Sequence, residues 1–490
     1  MGITCEDMID IAIRAGSIVL ENGGETYRTE ATVNKIARAL GAKTVSCFVT
    51  PTVIQFSYTD DNDHYHTAIR RIKKRGVNLD KIALIDELTR RIEKKKKTYG
   101  PHFIESLLSR IENAPVYKKP FVLAAAALSS FCFAFMFGGI LAEASAAFVI
   151  GFILRLFLLF SQQKQFGSFS TSLLSGAITA ALTEVAFLLG FIPSTEITLI
   201  SVLMQVVPGI AIVNAIRDII EGDLVSGAAR LLDAFMVAAG LSVGAVSALY
   251  LFSVFNVATF ASSGSMFGAE VASAVSAAES VIGSSGFGAV SAAGQSVSAV
   301  ESVSAAESAA GSFAFDAGGL SGIAETLAPV VENGGYGLAG TVLLSALAAA
   351  VWGGGASGFS SVYLHAKPLD IVVGAICGAI GWFVFTLTGG VGASSYLAGA
   401  FIVAVLAEVL GAMLKTPATV FLLPGLLPLV PGGGMFLTMR SAVNGLMAES
   451  LSNAYTTLFA AGSIALGIAL ASSGRRLLVL LGMKSANFEQ

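Results

Sequence analysis

Apolar and polar positions follow two different rhythms on either side of about residue 120. Beyond it, long apolar runs recur at 121–141, 145–160, 169–191, 197–215 and 229–255, then at 336–356, 369–388, 394–414, 418–438 and 453–472. Each is near the length that crosses a hydrocarbon core of about 30 Å, so the pattern predicts about ten transmembrane helices. The second run is short, and the fourth and ninth contain Pro-Gly. No comparable run occurs before residue 120, so no secretory signal is expected there.

The first 119 residues read as an α+β head. Thr4-Cys5-Glu6-Asp7 resembles a capping box before a helix over 6–20, which Gly23-Gly24 stops. A second helix is expected over 25–40, ending at Gly41. Residues 45–49 and 53–58, β-branched and aromatic, predict strands on either side of Pro51. A polar turn at 60–63 leads to a third strand over 64–72. Helical periodicity returns at 79–96 and 102–113, and Pro115 and Pro120 mark a linker.

Composition agrees with the pattern. Of 490 residues, 54% are hydrophobic and 13% charged, about half the usual charged share of roughly 25%. Mean hydropathy is +0.75, which makes a wholly soluble enzyme unexpected. The net charge of −3 hides a +5 head and a −8 body. The head's basic end (Arg90-Arg91, Lys94-Lys95-Lys96-Lys97, Lys118-Lys119) directly precedes the first apolar run, which places the head in the cytoplasm. A solvated helix end that meets anionic lipid explains the lysine run better than nucleic acid does. Lys164, Arg217, Arg230, Lys367, Lys415, Arg475, Arg476 and Lys484 then fall on the inner side, and only Arg440 lies near an outer connection. Ten spans with both termini cytoplasmic follow, and the cell membrane is the expected location.

Residues 256–335 form an outer insert rich in Ala, Ser and Gly, with seven acids, no base and the pentapeptide Ser-Ala-Ala-Glu-Ser at 276–280 and 304–308. Such composition buries little area and predicts a loop with weak helices. Cys5, Cys47, Cys132 and Cys377 are scattered and read as isolated apolar fillers. His64, His66, His102 and His365 have no metal-ligand spacing, although His64 and His66 share a strand face. No metal and no cofactor are expected.

The membrane body repeats itself. Glu184 lies 24 residues before Pro208, and Glu408 lies 23 before Pro431. Pro193 and Pro417 precede those prolines by 15 and 14, and Val207-Pro208-Gly209 matches Val430-Pro431-Gly432. Arg217 and Arg440 follow by nine, Gly222 and Gly445 by fourteen. Two halves of five spans (120–255 and 336–490), an odd number each, are expected to have opposite orientations, the inverted-repeat plan of secondary transporters. Proline removes an N–H and frees a carbonyl a turn earlier, and a lipid-facing site would not tolerate this. Pro208-Gly209 and Pro431-Gly432 are therefore candidate helix breaks around a polar substrate; a packing kink is the structural alternative.

Charges within apolar runs are costly. Arg155, Glu184, Asp233 and Glu408 qualify, and Glu184, Glu408 and Asp233 are candidate proton carriers. Asn214, Arg217 and Asp218 occupy one helical face at a helix mouth, suited to a zwitterion: guanidinium for carboxylate, carboxylate for ammonium. An intrahelical salt bridge from Arg217 to Asp218, Glu221 or Asp223 is the plainer reading. Arg440 is the matching basic residue of the second half. Small-xxx-small spacings such as Gly240…Gly244 and Gly374…Gly378 predict close helix packing.

Several motifs carry a family resemblance. In the head they are Ala15-Gly16, Asn22-Gly23-Gly24-Glu25-Thr26-Tyr27-Arg28, Val49-Thr50-Pro51-Thr52, Ile69-Arg70-Arg71 and Asn78-Leu79-Asp80-Lys81. In the body they are Val207-Pro208-Gly209…Asn214…Arg217-Asp218 and Pro417…Pro424-Gly425…Pro428-Leu429-Val430-Pro431-Gly432. In this order the chain resembles the threonine/serine exporter family in a fused two-half form, with 256–335 outside the resemblance. The resemblance implies a proton-driven secondary exporter of small hydroxy amino acids. Related members with split halves are associated with dicarboxylate export, which leaves succinate-like cargo as the alternative. The family's head has been likened to a hydrolase, but no Ser/His/Asp set, P-loop or GxSxG is present, so a transporter and not an enzyme is expected. The expected partners are an amino acid or organic acid, protons and lipid, and no nucleic acid.

Overall fold

The computed structural model describes residues 4–60, 63–73, 76–94, 99–114, 117–262, 338–390 and 392–480. The insert expected over 256–335 falls outside the described residues from 263 onward, as do Lys95, Lys96, Lys97 and Lys484.

The N-terminal part is a helix–sheet layer. Helix α1 (Cys5–Glu21) opens with the expected capping box: Thr4 Oγ1 accepts the Asp7 N–H at 3.2 Å, and Asp7 accepts the Thr4 N–H at 3.1 Å. After α2 (Thr26–Leu40), Gly41 supplies the left-handed turn (φ 114°) that a side chain would resist. Strands β1 (Thr44–Thr50), β2 (Val53–Thr59) and β3 (Tyr65–Arg71) form an antiparallel meander in the order β1-β2-β3. Alternation decides its faces: Ile54, Phe56 and Tyr58 are buried under the helices, while Phe48 and Ile69 point away. Helices α3 (Leu79–Lys94) and α4 (Pro101–Glu112) complete the layer.

The body contains α5 (Lys119–Met136), α6 (Leu141–Lys164), α7 (Ser168–Leu188), α8 (Glu196–Leu203), α9 (Gly209–Glu221) and α10 (Leu224–Ser262). A second set follows: α11 (Leu338–Tyr363), α12 (Pro368–Leu387), α13 (Ala393–Leu414), α14 (Thr419–Leu426), α15 (Gly432–Val443) and α16 (Met447–Leu480). Among the described residues, eight of these helices are long and apolar enough to cross a bilayer. The runs at 197–215 and 418–438 are not single helices. Each is a broken pair, α8–α9 and α14–α15, interrupted where Pro208 and Pro431 offer no N–H.

The two sets pack alike. In the first, α5 meets α6, α6 meets α7, α7 and α9 meet α10, and α8 wedges against α5, α6 and α7. In the second, α11 meets α12, α12 meets α13, α13 and α15 meet α16, and α14 wedges against α11, α12 and α13. Contacts between the sets are reciprocal too: α5 packs on α11, α10 on α15 and α9 on α16. Glycine permits the closest approaches. A methyl group at Gly244 would lie 1.9 Å from the Leu173 carbonyl oxygen, and one at Gly378 would lie 1.8 Å from Ser357 Oγ.

The helix–sheet layer rests on three turns of the body. The α3 amides of Leu79 and Asp80 donate to the carbonyls of Leu364 and His365, both at 3.0 Å, between α11 and α12. Ser226 Oγ, just after α9, donates to the Val49 carbonyl at 3.3 Å. Thr419, opening α14, donates to Glu25 at 3.3 Å. The first broken helix thus ends at the layer, and the second begins there.

Candidate functional site

Two places in the body gather polar chemistry. The first is the pair of helix breaks. Pro208 and Pro431 stand as N-caps of α9 and α15, and the two breaks abut one another. A methyl group at Gly209 would lie 1.9 Å from Val430 Cγ1, and one at Gly432 would lie 2.7 Å from Val207 Cγ1. Matched residues face each other in exchange, so the N-termini of α9 and α15 converge. First-turn N–H groups have no carbonyl one turn back, and each terminus carries partial positive charge.

Gln205 sits in the turn before Pro208. Its Nε2 donates to Ser130 Oγ at 2.9 Å and to the carbonyls of Gly151 at 3.2 Å and Ala126 at 3.3 Å. Its Oε1 is buried with no hydrogen-bond donor among the described residues. The two N–H groups of this amide are shared among three acceptors, which fixes its orientation and leaves the oxygen as an unpaired acceptor beside the break.

The second place is the mouth of α9. Arg217 and Glu221 are four apart on one helix face, and Nε meets Glu221 Oε1 at 3.0 Å. The other side of the guanidinium is taken by the N-terminal layer: Nη1 donates to Glu25 Oε1 at 2.7 Å. Nη2 lies 3.4 Å from the Tyr27 hydroxyl, and the guanidinium stands 5.2 Å from the Tyr27 ring centroid. Glu25 Oε2 accepts from Arg28 Nε at 3.0 Å and from Thr419 Oγ1 at 3.3 Å. One carboxylate, its side chain only 4% exposed, therefore ties together α2, α9 and α14. The local backbone explains its position. A methyl group on Gly24 would strike Val19 Cγ1 at 2.3 Å, so glycine allows the chain to double back from α1 and present Glu25 as the N-cap of α2. Burial alone would raise the Glu25 carboxyl; the charges of Arg217 and Arg28 overcome it and hold the group down at about 2.

Of the intrahelical partners expected for Arg217, only Glu221 is realised among the described residues; Asp218 pairs elsewhere. It faces Arg230 Nε at 3.0 Å, a charge contact without hydrogen-bond alignment, and Arg230 Nη2 reaches the Gly24 carbonyl at 3.4 Å. Asn214 is half-buried on the same helix. Arg440 is not beside Arg217; its partner is Glu196, at the start of α8, 3.9 Å away. Glu184 on α7 and Glu408 on α13 are half-buried, and Asp233 is exposed on α10. Among the described residues no ion pair joins Glu184 or Glu408 to Arg217. The sequence-predicted set is thus divided: Pro208, Gly209, Pro431 and Gly432 meet, Arg217 and Asp218 share the mouth, and Arg440, Glu184, Glu408 and Asp233 stand elsewhere.

Sequence reasoning assigned no site role to Glu25, Tyr27, Arg28, Arg230, Thr419 or Gln205; the first three entered only as part of a family motif and Arg230 only as an inner-side charge. The available signal was the density of charge and aromaticity immediately after Gly23-Gly24. Arg155, noticed as a charge in an apolar run, is 8% exposed; it bonds the Tyr363 carbonyl at 3.4 Å and lies 4.9 Å from that ring's centroid.

Comparison with known proteins gives a consistent assignment. A family model described as "Putative threonine/serine exporter" matches residues 10–252, and one described as "Threonine/Serine exporter, ThrE" matches residues 340–473. The chain is 22% identical over 243 residues to a protein of Klebsiella aerogenes named "Probable succinate transporter subunit YjjP", spanning 49% of this chain and 92% of that protein. No solved structure matches. The eight apolar helices and both matches describe an integral, multi-pass membrane protein. With its two halves matched in order on one polypeptide, the chain belongs to the threonine/serine exporter family.

Proposed function

We propose that the protein is a proton-coupled secondary exporter of small hydroxy amino acids, threonine and serine, in the plasma membrane. In this reading two inverted five-span halves (120–255 and 336–490) give ten crossings, with each broken pair counted as one. A cytoplasmic α+β head (1–119) and both termini lie inside, and 256–335 is an outer insert. The observation that carries the reading is the convergence of the α9 and α15 N-termini at abutting Pro-Gly breaks. Two helix N-termini aimed at one point suit a carboxylate, and broken helices at a repeat interface are where secondary transporters bind cargo. Gln205 Oε1 would accept a hydrogen bond from the substrate's hydroxyl or ammonium. Support for the inverted arrangement comes from the reciprocal contacts between halves. The three turns under the head are those that the positive residues Arg217, Lys367 and Lys415 mark as inner, which supports the orientation.

Gly209 and Arg217 are separated by eight helical residues, a rise of about 12 Å, more than one amino acid spans. The breaks and the mouth are therefore two stations. At the mouth Arg217, with Asn214 and Asp218 beside it, meets the incoming carboxylate, and Glu25 holds that place until exchanged. Glu184 and Glu408 carry the proton. In proteoliposomes we expect threonine and serine counterflow that a protonophore uncouples from an imposed pH gradient; absence of counterflow for both solutes would sink the proposal. Arg217→Ala should cut flux about tenfold or more if it loses a charge-assisted contact, and unchanged flux in a folded variant removes Arg217 from the path.

A second reading keeps the architecture and changes the cargo to a dicarboxylate. The printed name of the Klebsiella aerogenes relative favours it. Succinate outcompeting threonine in side-by-side counterflow would select it.

A further inference from the structure

Between α3 of the N-terminal layer and the ends of α12 and α13 lies a cleft of about 380 Å³ lined by Arg90, Arg91, Lys94, Lys367 and Lys415, with Glu87 as its one acid. A second cavity of about 380 Å³ shares Arg90, Lys94 and Lys415 with it and continues to Arg28 and Glu408. The bases come from three separate elements, so local sequence does not account for their meeting. Some are already engaged: Arg90 pairs with Asp86 at 3.2 Å and donates to the Lys415 carbonyl, Arg91 pairs with Glu87, and Lys367 stands 3.6 Å from Asp80. Lys94 and Lys415 have no ion pair among the described residues, and both are exposed toward the cleft.

The position of the cleft narrows the ligand. Lys367 is the N-cap of α12, so a helix N-terminus adds its partial positive charge. Lys415 is the C-cap of a candidate span, α13, and its ammonium offsets the partial negative charge of that helix end. A site of excess positive charge, open to water and set at the ends of two membrane helices, is where phosphate-bearing headgroups lie. We propose that this seam binds a phosphate monoester or diester anion, held by Lys94 and Lys415 and supported by Arg90, Arg91 and Lys367. The group is supplied either by an anionic phospholipid headgroup or by a soluble phosphate. The inference does not depend on which solute is exported. Because the adjoining cavity reaches Arg28, the anion would lie beside the cluster that docks the N-terminal layer.

The test uses the full chain and the variant Lys94→Gln/Lys415→Gln, which leaves Arg90 free to donate to the backbone carbonyl at 415. Protein is placed in nanodiscs of phosphatidylcholine alone or with phosphatidylglycerol at three parts in ten, and retained lipid is counted by native mass spectrometry. Thermal unfolding in phosphatidylcholine discs is also followed with inorganic phosphate or pyrophosphate added. A preference for phosphatidylglycerol that falls about tenfold or more in the variant supports the site with a lipid source. Stabilisation by phosphate or pyrophosphate in the parent protein but not the variant supports it with a soluble source. Equal behaviour of parent and variant in both arms overturns it. If the double variant does not assemble, Lys94→Gln alone decides by the same readouts with a smaller loss.

Discussion

Glu25 meets Arg28 through helix spacing, but its contact with Arg217 is one that no property of its own helix foretells. Its carboxylate is shared by Arg217 at 2.7 Å and Arg28 at 3.0 Å, so removing its charge leaves a buried guanidinium short of a partner. Glu25→Gln should therefore loosen the docked layer, seen as faster proteolysis within residues 1–114, and lower the counterflow KM several-fold because the internal competitor for Arg217 is gone. A raised KM would show that Glu25 supports substrate binding instead. The pH dependence follows from the same pair. A carboxyl held at about 2 instead of 4.5 contributes docking stability that is fully present above the unfolded value and lost as pH falls toward 2. The part of the layer's protease resistance that Glu25→Gln removes should thus be flat from pH 8 to about 5 and decline only below it. Loss of that difference between parent and Glu25→Gln from pH 7 to 6 would contradict this sign. Glu25, charged throughout that range, is therefore no proton carrier near neutrality, whereas Glu184 and Glu408 belong to the half-buried carboxylates of the body, together with Glu196, Asp223 and Glu449.

The broken helices set the next scale. Gly209 and Gly432 are not there for flexibility alone; each gives space to a valine of the opposite break. Gly209→Ala should overpack this contact, with a cost of about 1–3 kcal/mol and loss of most flux. Val430→Ala added to it should restore part of both, because the two residues touch and their effects are not additive. Equal, independent losses in the thermal midpoint would show that the breaks do not meet. Gly222 and Gly445, matched in sequence, both adopt left-handed backbone (φ 99° and 80°) just beyond α9 and α15, so the repeat extends to the turn chemistry.

The whole molecule is two similarly packed helix sets that meet along α5–α11 and along the reciprocal pairs α10–α15 and α9–α16. Transport by rocking one set against the other requires the α5–α11 seam to shift. Ser129 and Ser360 lie across it with their hydroxyls 2.9 Å apart. Ser129→Cys/Ser360→Cys should form a disulfide under oxidation, stop counterflow and recover on reduction. Full flux in the cross-linked protein would place the moving seam elsewhere.

Much was legible before any fold was known, and the reasons are local. Apolar runs of bilayer length, the Thr4–Asp7 cap, the strand alternation around Phe56 and the prolines at 208 and 431 act through neighbours in sequence, so period and residue type suffice to reveal them. The broken pairs were visible as Pro-Gly within apolar runs, and the helices part where those residues predict. Arg217 could be singled out as a charge at a helix mouth. Its partner could not, because Glu25 is 192 residues away and reaches it only when the N-terminal layer seats on the body. The same holds for Val430 against Gly209, Arg440 against Glu196, and the bases of the seam. The sequence by itself determined a membrane-spanning, duplicated chain with a charged leading layer, because hydropathy and backbone chemistry are written residue by residue. Only the tertiary structure decided which charge meets which and that the two breaks converge, because burial and ion pairing depend on distance in space.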